Sequence, residues 1–272
     1  MRITYAVIIV YLLLSCSCGG QDAKMAGDDF NDYLTYVTGH ENTVKIHPGS
    51  LFRQWFEADP DLDGHVTYWM KAAETGRADA CFLAGECYYW GTGVDKNYTE
   101  SVGWYKMAAY AGHAPSQYAL GRAYRNGDGV EKDDAKAAQW FEKSAEQGYA
   151  PAQYSCACGY YWGRGVAQDY AASVEWLRKA AGAGHADAEC LLGSRYLYGE
   201  GVEKNAGEAL IWFNKAAEKG HTWAQYRMGR AYQTGEGVDE DIDEAVRWYR
   251  LSARQTGVRA QDRLKELGLE WN

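Results

Sequence analysis

Proline is scarce in this chain, with 4 in 272 residues. Because proline removes a backbone donor and breaks helices, its scarcity leaves a largely helical chain permitted. Net positive charge is also missing. The formal charge is −9, with no Lys/Arg-rich run to offset it, which argues against non-specific nucleic-acid binding. The chain has no S-x-x-K, G-x-S-x-G or H-E-x-x-H motif and no phosphate-cradling glycine loop. The familiar hydrolase, zinc-protease and nucleotide-binding chemistries therefore have no foothold, and no cofactor is expected.

A run long enough to cross a bilayer is absent from the N-terminus too. The apolar stretch Tyr5 to Leu14 has ten residues, about half of the roughly 20 a spanning helix needs. With Arg2 ahead of it, the segment reads as a signal peptide over residues 1–15. Leu13-Leu14-Ser15-Cys16 resembles a bacterial lipobox, which makes Cys16 the candidate lipidation site. Ordinary cleavage near Ser15 and Ser17 is the alternative. The expected organisation is a polar tether over 16–30, then an N-terminal cap or degenerate repeat over 31–64 that includes "LFRQWFEA" from Leu51. This reading makes the protein exported and membrane-anchored at the cell envelope.

From residue 65 one pattern recurs. Gly93-Val94, Gly129-Val130, Gly165-Val166, Gly201-Val202 and Gly237-Val238 follow each other at intervals of 36 residues, as do Trp104, Trp140, Trp176, Trp212 and Trp248. Such a period without insertion means stacked units sharing one continuous core. In residues 114–149, Pro115 opens a first helix and Gly127-Asp128-Gly129 stops it. Asp133 or Asp134 caps a second helix, whose core stripe is Ala137, Trp140, Phe141 and Ala145. Gly85, Gly121, Gly193 and Gly229 recur in mid-helix, with Ala157 in the third copy. A mid-helix glycine costs about 1 kcal/mol against alanine, so close approach of the neighbouring helix is expected there, with the tryptophan filling the space beside it. The array spans 65–257. Residues 258–272 form a capping helix, in which Asp262 and Lys265 replace the buried tyrosine and the packing glycine.

"ALGRAYRNGDGVEKDDAKAAQWFEKSAEQG" resembles the Sel1-like repeat family, relatives of the tetratricopeptide repeat. The resemblance covers about Tyr68 to Gly257. It implies an all-α fold, a right-handed superhelical solenoid of antiparallel helix pairs, serving as a scaffold or adaptor for other proteins. Some cysteine-rich relatives bind or slowly hydrolyse β-lactams. A weak hydrolase or cell-wall-fragment binder is accordingly the alternative function, opposed by the missing serine-lysine motif.

First helices line the concave surface of such arrays. The positions left free by packing include Glu86, Trp90, Arg122, Asn126, Trp162, Tyr198, Arg227 and Arg230. They vary between copies, so they are the candidate residues for gripping a partner protein or peptide, with Trp90, Trp162 and Tyr198 as anchors. Against that, the aromatics could pack within their own helix pair. Asp59, Asp61 and Asp63 of "DPDLDGHV" resemble the start of a calcium loop, but Met70 occupies the position of the closing glutamate. Cys156 or Cys158 with Cys190 is the disulfide pairing to test, against small buried thiols as the alternative. His113, His185 and His221 share one repeat position with Tyr149, which suggests packing or hydrogen bonding rather than metal ligation.

Overall fold

The computed structural model describes residues 62–255 and 257–270, for 62–65 and 68 the backbone alone. Among them are twelve α-helices and no strand. In chain order these are α1 (Leu62–Glu74), α2 (Ala78–Trp90), α3 (Tyr98–Tyr110), α4 (Ala114–Asn126), α5 (Asp134–Glu146) and α6 (Ala150–Trp162). They continue as α7 (Tyr170–Gly182), α8 (Ala186–Tyr198), α9 (Ala206–Glu218), α10 (Thr222–Thr234), α11 (Ile242–Arg254) and α12 (Val258–Glu266). First helices begin at 78, 114, 150, 186 and 222, so the 36-residue period survives intact in the backbone.

Two compact units divide the chain, one up to Trp104 and the other from Tyr105. In the first, Val66 and Trp69 of α1 pack on Cys87 of α2. Of the three aspartates of the calcium-loop expectation, one falls within the described residues. Asp59 and Asp61 lie outside the described residues, while Asp63 already belongs to helix α1, where the loop would need a turn.

The second unit shows how a repeat closes. Gly127 takes a left-handed φ of 83° and its N–H bonds to Ala123 O, which stops α4. Asp133 then caps α5, its carboxylate accepting from the Lys136 N–H at 2.9 Å. The turn itself locks onto the preceding repeat. A side chain at Gly165 would place its Cβ 2.0 Å from the Asp134 carbonyl oxygen, so the backbones touch where no other residue fits. Gln117, Gln153, Gln225 and Gln261 each donate to the last-turn carbonyls of the preceding second helix, at Ala109, Ala145, Ala217 and Ala253 respectively. These glutamines satisfy acceptors that a helix end leaves open. Two of them are also tied by a second glutamine, Gln147 to Gln117 at 2.7 Å and Gln255 to Gln225 at 3.1 Å. In the fourth repeat both partners change together: buried Glu189 pairs with Lys219 at 2.7 Å.

The mid-helix glycines are buried, but the ring beside them is not the tryptophan. Cβ atoms at Gly121, Gly193 and Gly229 would lie 2.7, 2.9 and 2.6 Å from the rings of Phe141, Phe213 and Tyr249. Each ring belongs to the residue after the tryptophan, and that row is the deepest in the fold. The reason is angular, since one residue turns the helix by about 100° and swings the next side chain squarely toward the partner helix. Trp140 and Trp248 are buried near the rim, while Trp104, Trp176 and Trp212 are half-buried. Lysine ammonium groups lie over three of these rings, Lys143 on Trp140 at 4.4 Å, Lys179 on Trp176 at 4.0 Å and Lys215 on Trp212 at 3.9 Å. Trp176 packs against the cores of two neighbouring repeats and seals the junction between them.

Where alanine replaces glycine, the ring shrinks: Ala157 faces a cluster containing Leu177, at the register of Phe141 and Phe213. At the far end α12 buries Ala260 and Leu264 against Tyr226, Ala245 and Tyr249. It leaves Arg259, Asp262, Lys265 and Glu266 exposed. The described cysteines are free thiols, so no disulfide joins α6 to α8. Burial pushes the Cys156 thiol up to about 12, consistent with a small buried apolar residue.

The glycine–ring contact yields a double-mutant cycle. Gly193→Ala is expected to cost about 1–3 kcal/mol by overpacking. Gly193→Ala combined with Phe213→Leu, which reproduces the Ala157–Leu177 pair, should cost less than the two single changes added together. Urea unfolding of the four proteins measures the coupling.

Candidate functional site

The last turn of each first helix presents one residue at a common register: Trp90, Asn126, Trp162, Tyr198 and Thr234. Trp162 is 62% exposed and Tyr198 is 61% exposed, unusual for such large aromatic side chains. Trp90 differs. It is half-buried, its indole N–H donates to Glu86 at 2.9 Å, and Tyr89 meets it edge-on at 4.8 Å. The expected trio of anchors is thus a pair on the surface plus one ring held within its own helix turn.

Buried guanidinium groups support the exposed pair from beneath. Tyr161 meets Trp162 edge-on at 4.7 Å, and the Arg195 guanidinium lies 3.6 Å from the centre of the Tyr161 ring. Arg195 forms an ion pair with Glu200, and the Tyr161 hydroxyl donates to the same carboxylate at 3.2 Å. In the next repeat Arg227 donates to the Tyr198 hydroxyl at 3.1 Å and pairs with Glu236 at 3.5 Å. Arg195 and Arg227 are only 8% and 6% exposed. The sequence expectation that Arg227 faces a partner is therefore corrected: its guanidinium is spent within the fold, over Phe213 and under Tyr198. Arg122 and Arg230 are half-buried, Arg122 over the Tyr118 ring at 5.9 Å. Asn126 is exposed and donates to Asp128 at 3.1 Å.

Sequence reasoning missed Tyr161, Arg195, Glu200 and Glu236. One signal was available. Arg195 stands at the register of Cys87, Ala123, Gly159 and Ala231, so a long cation occupies a slot built for small residues and must find a partner inside.

His185 and His221 act as helix caps. His221 Nδ1 accepts from the Ala224 N–H at 3.1 Å, and its Nε2 lies 3.1 Å from Asp187. His185 Nδ1 accepts from the Ala188 N–H at 3.4 Å, and its ring stacks on Tyr154 at 4.9 Å. His113 Nδ1 lies 2.8 Å from the Ser116 hydroxyl. Tyr149, at the same register, packs edge-on against Tyr118. This is the packing and hydrogen-bonding role that the histidine–tyrosine exchange suggests. Among the described residues no group of three or more His, Cys, Asp or Glu could hold a metal ion, and no helix is long and apolar enough to cross a membrane.

The Sel1 repeat family's profile matches residues 78–113, 114–149, 150–185, 186–221 and 224–256, each a helix pair as described above. The chain belongs to the Sel1 repeat family. It is similar in structure to a protective antigen of uropathogenic Escherichia coli strains that displays an SLR fold, with a TM-score of 0.73 at 35% identity. That match covers 80% of this chain but 47% of the Escherichia coli chain, so this protein spans about half of that relative. A Sel1 repeat protein from Oxalobacter formigenes is similar with a TM-score of 0.70 at 34% identity, covering 74% of this chain and 82% of that one. No curated protein matches the sequence. Sel1 repeat proteins generally act by binding other proteins, and their fold is typically a non-enzymatic scaffold.

The capping His185 is expected to make this Sel1 array sensitive to acid. Burial holds the His185 imidazole below its usual pKa, with Asp187 offsetting part of the effect. The hydrogen bond from His221 holds the Asp187 carboxyl below the usual carboxylate range. For His185 the unfolded chain takes up the proton first, so stability is present above about pH 6.5 and falls as pH drops toward the depressed folded pKa. The Asp187 contribution is lost only at lower pH, below about 4. His185→Asn keeps a capping acceptor without the titrating ring. Its Tm should fall less between pH 7 and pH 5 than that of the parent protein, measured by circular dichroism.

Proposed function

We propose that this protein is an exported, lipid-anchored adaptor that grips a partner protein or peptide with the outer turns of its first helices. The observation that carries the reading is the exposure of Trp162 and Tyr198 at one register on α6 and α8. Tyr198 is bonded by buried Arg227, and Trp162 rests edge-on against Tyr161, on which buried Arg195 lies, each arginine being paired with a glutamate. Large aromatics fixed in this way contribute contact area while losing little side-chain entropy on binding. Their ordering cost has been met during folding. Polar side chains of the neighbouring first helices, among them Asn126, Arg122 and Arg230, supply the rim of such a patch. Arg195 and Arg227 serve as positioning residues that fix the rings without touching the partner.

Lipidation at Cys16 would hold the array at an envelope membrane through the tether of residues 16–30, so the partner is met near that surface. Support for the anchor comes from the lipobox-like Leu13-Leu14-Ser15-Cys16 behind an apolar stretch of signal-peptide length.

Trp162→Ala combined with Tyr198→Ala should abolish capture of the native partner in a crosslinking pull-down from envelope preparations. The Tm of that variant should fall by only a few degrees, because the one hydrogen bond lost is that from Arg227, which keeps its pair with Glu236. Cys16→Ser should release the protein from the membrane fraction and eliminate incorporation of a radiolabelled fatty acid.

A further inference from the structure

The turn that follows each first helix has the form Gly-x-Gly-Val, and at Glu200 its second residue reaches back to the preceding repeat. Glu200 shows the satisfied case, accepting from Tyr161 of α6 while pairing with Arg195 of α8. Subtracting 36 from 161 and 200 gives the equivalent positions one repeat earlier, Arg125 and Arg164. Where one junction has a tyrosine donating to a carboxylate, its neighbour has two arginines lining one pocket, Arg164 on the exposed side.

That pocket has a water-accessible volume of about 50 Å³. Phe141 and Cys158 contribute to its wall, with Arg125 resting 5.5 Å from the centre of the Phe141 ring. Two carboxylates, Asp134 and Glu142, also line it. Glu142 accepts the Tyr160 hydroxyl at 2.8 Å. Asp134 opens helix α5, where the helix dipole favours a negative charge. Neither forms an ion pair with Arg125 or Arg164, and among the described residues these two arginines have no carboxylate partner. Two arginines at one pocket without an ion-pair partner leave guanidinium donors open to an added anion. A guanidinium fork matches a carboxylate with two parallel hydrogen bonds. The volume is several times the roughly 10–15 Å³ one water requires. It has room for a small planar anion. Exposed Trp162 stands two residues before Arg164, at the end of α6.

Resting on the reading of this face as a partner-binding surface, we infer that Arg125 and Arg164 form a subsite for a carboxylate side chain of an acidic partner peptide. The apolar residue next to that carboxylate lies on Trp162. A chain with a formal charge of −9 repels acidic peptides over most of its surface, so such a peptide is admitted where unpaired cations gather.

The test uses the full chain and a fluorescein-labelled dodecapeptide alternating Glu and Leu, followed by fluorescence anisotropy. The Gln–Leu isostere is the control peptide. Expected is binding at least about tenfold tighter for the Glu–Leu peptide, the scale of a charge-assisted hydrogen-bonded pair. Arg164→Glu should remove that preference while the protein stays folded, because glutamate already occupies this turn position as Glu200 and Glu236. Arg178→Gln, a charge removed from α7, should leave the preference intact. An unchanged preference in Arg164→Glu would overturn the inference. So would displacement of the peptide by inorganic phosphate at tenfold lower concentration than by acetate, which would assign the pocket to phosphoryl groups. Applied to the native partner, the same variants separate the two levels of the argument. Capture lost in the Trp162/Tyr198 double variant but retained in Arg164→Glu defeats the carboxylate subsite and leaves the adaptor reading standing. Capture retained in the aromatic double variant defeats the adaptor reading itself.

Discussion

Everything in this array depends on how closely the two helices of a repeat approach each other. At Gly121, Gly193 and Gly229 the distance leaves no room for a methyl group against the facing ring. That contact sets the spacing of the pair, and the spacing sets where each following turn lands. At Gly165 the turn backbone then comes so near the Asp134 carbonyl that a second glycine is required. One helix–helix distance, repeated, thus imposes both glycine rows. It also explains the absence of insertions, since an extra residue in any turn would lift it off the helix beneath.

With the scaffold held in this way, change is tolerated in matched sets. Ala157 is accommodated with Leu177 in place of a ring, and Glu189 is accommodated with Lys219 in place of two glutamines. Arg195 enters a small-residue slot with Glu200 and Tyr161 as its partners. Each set keeps volume and charge balanced at one junction, and because a repeat touches mainly its neighbours the effect stays local. Arg125 with Arg164 is a junction whose two arginines have no ion-pair partner among the described residues. In a solenoid-type protein, departures from the repeat are therefore more informative than the repeat. The shared positions report folding, and the unmatched ones report what the molecule meets.

Much of the architecture was legible because it is written five times. The period, the capping aspartates, the stop glycines and the polar outer side of α12 follow from residue type and spacing alone. The tryptophan row misled for a specific reason. Tryptophan is the largest side chain in the cycle and repeats without exception, whereas the deeper row varies as Tyr105, Phe141, Leu177, Phe213 and Tyr249. Invariance marked the rim that seals adjacent repeats, and the variable row filled the centre. The candidate face was legible only in part. Trp162 and Tyr198 emerged from register and size, but Trp90 at the same register is held by Glu86 and Tyr89.

From sequence alone came the helix count per cycle, the period, the family and the list of positions released from packing. These are properties of local pattern, and a pattern repeated in register needs no coordinates to be recognised. Which released positions remain available was decided only in three dimensions. Arg227 and Trp90 look as free as Tyr198 by register, yet Arg227 finds a partner on the preceding repeat and Trp90 finds one within its own helix. The physical reason is that a buried charge or a half-buried indole must be satisfied by whatever lies beside it, and for Arg227 that is fixed by the packing of one repeat on the next.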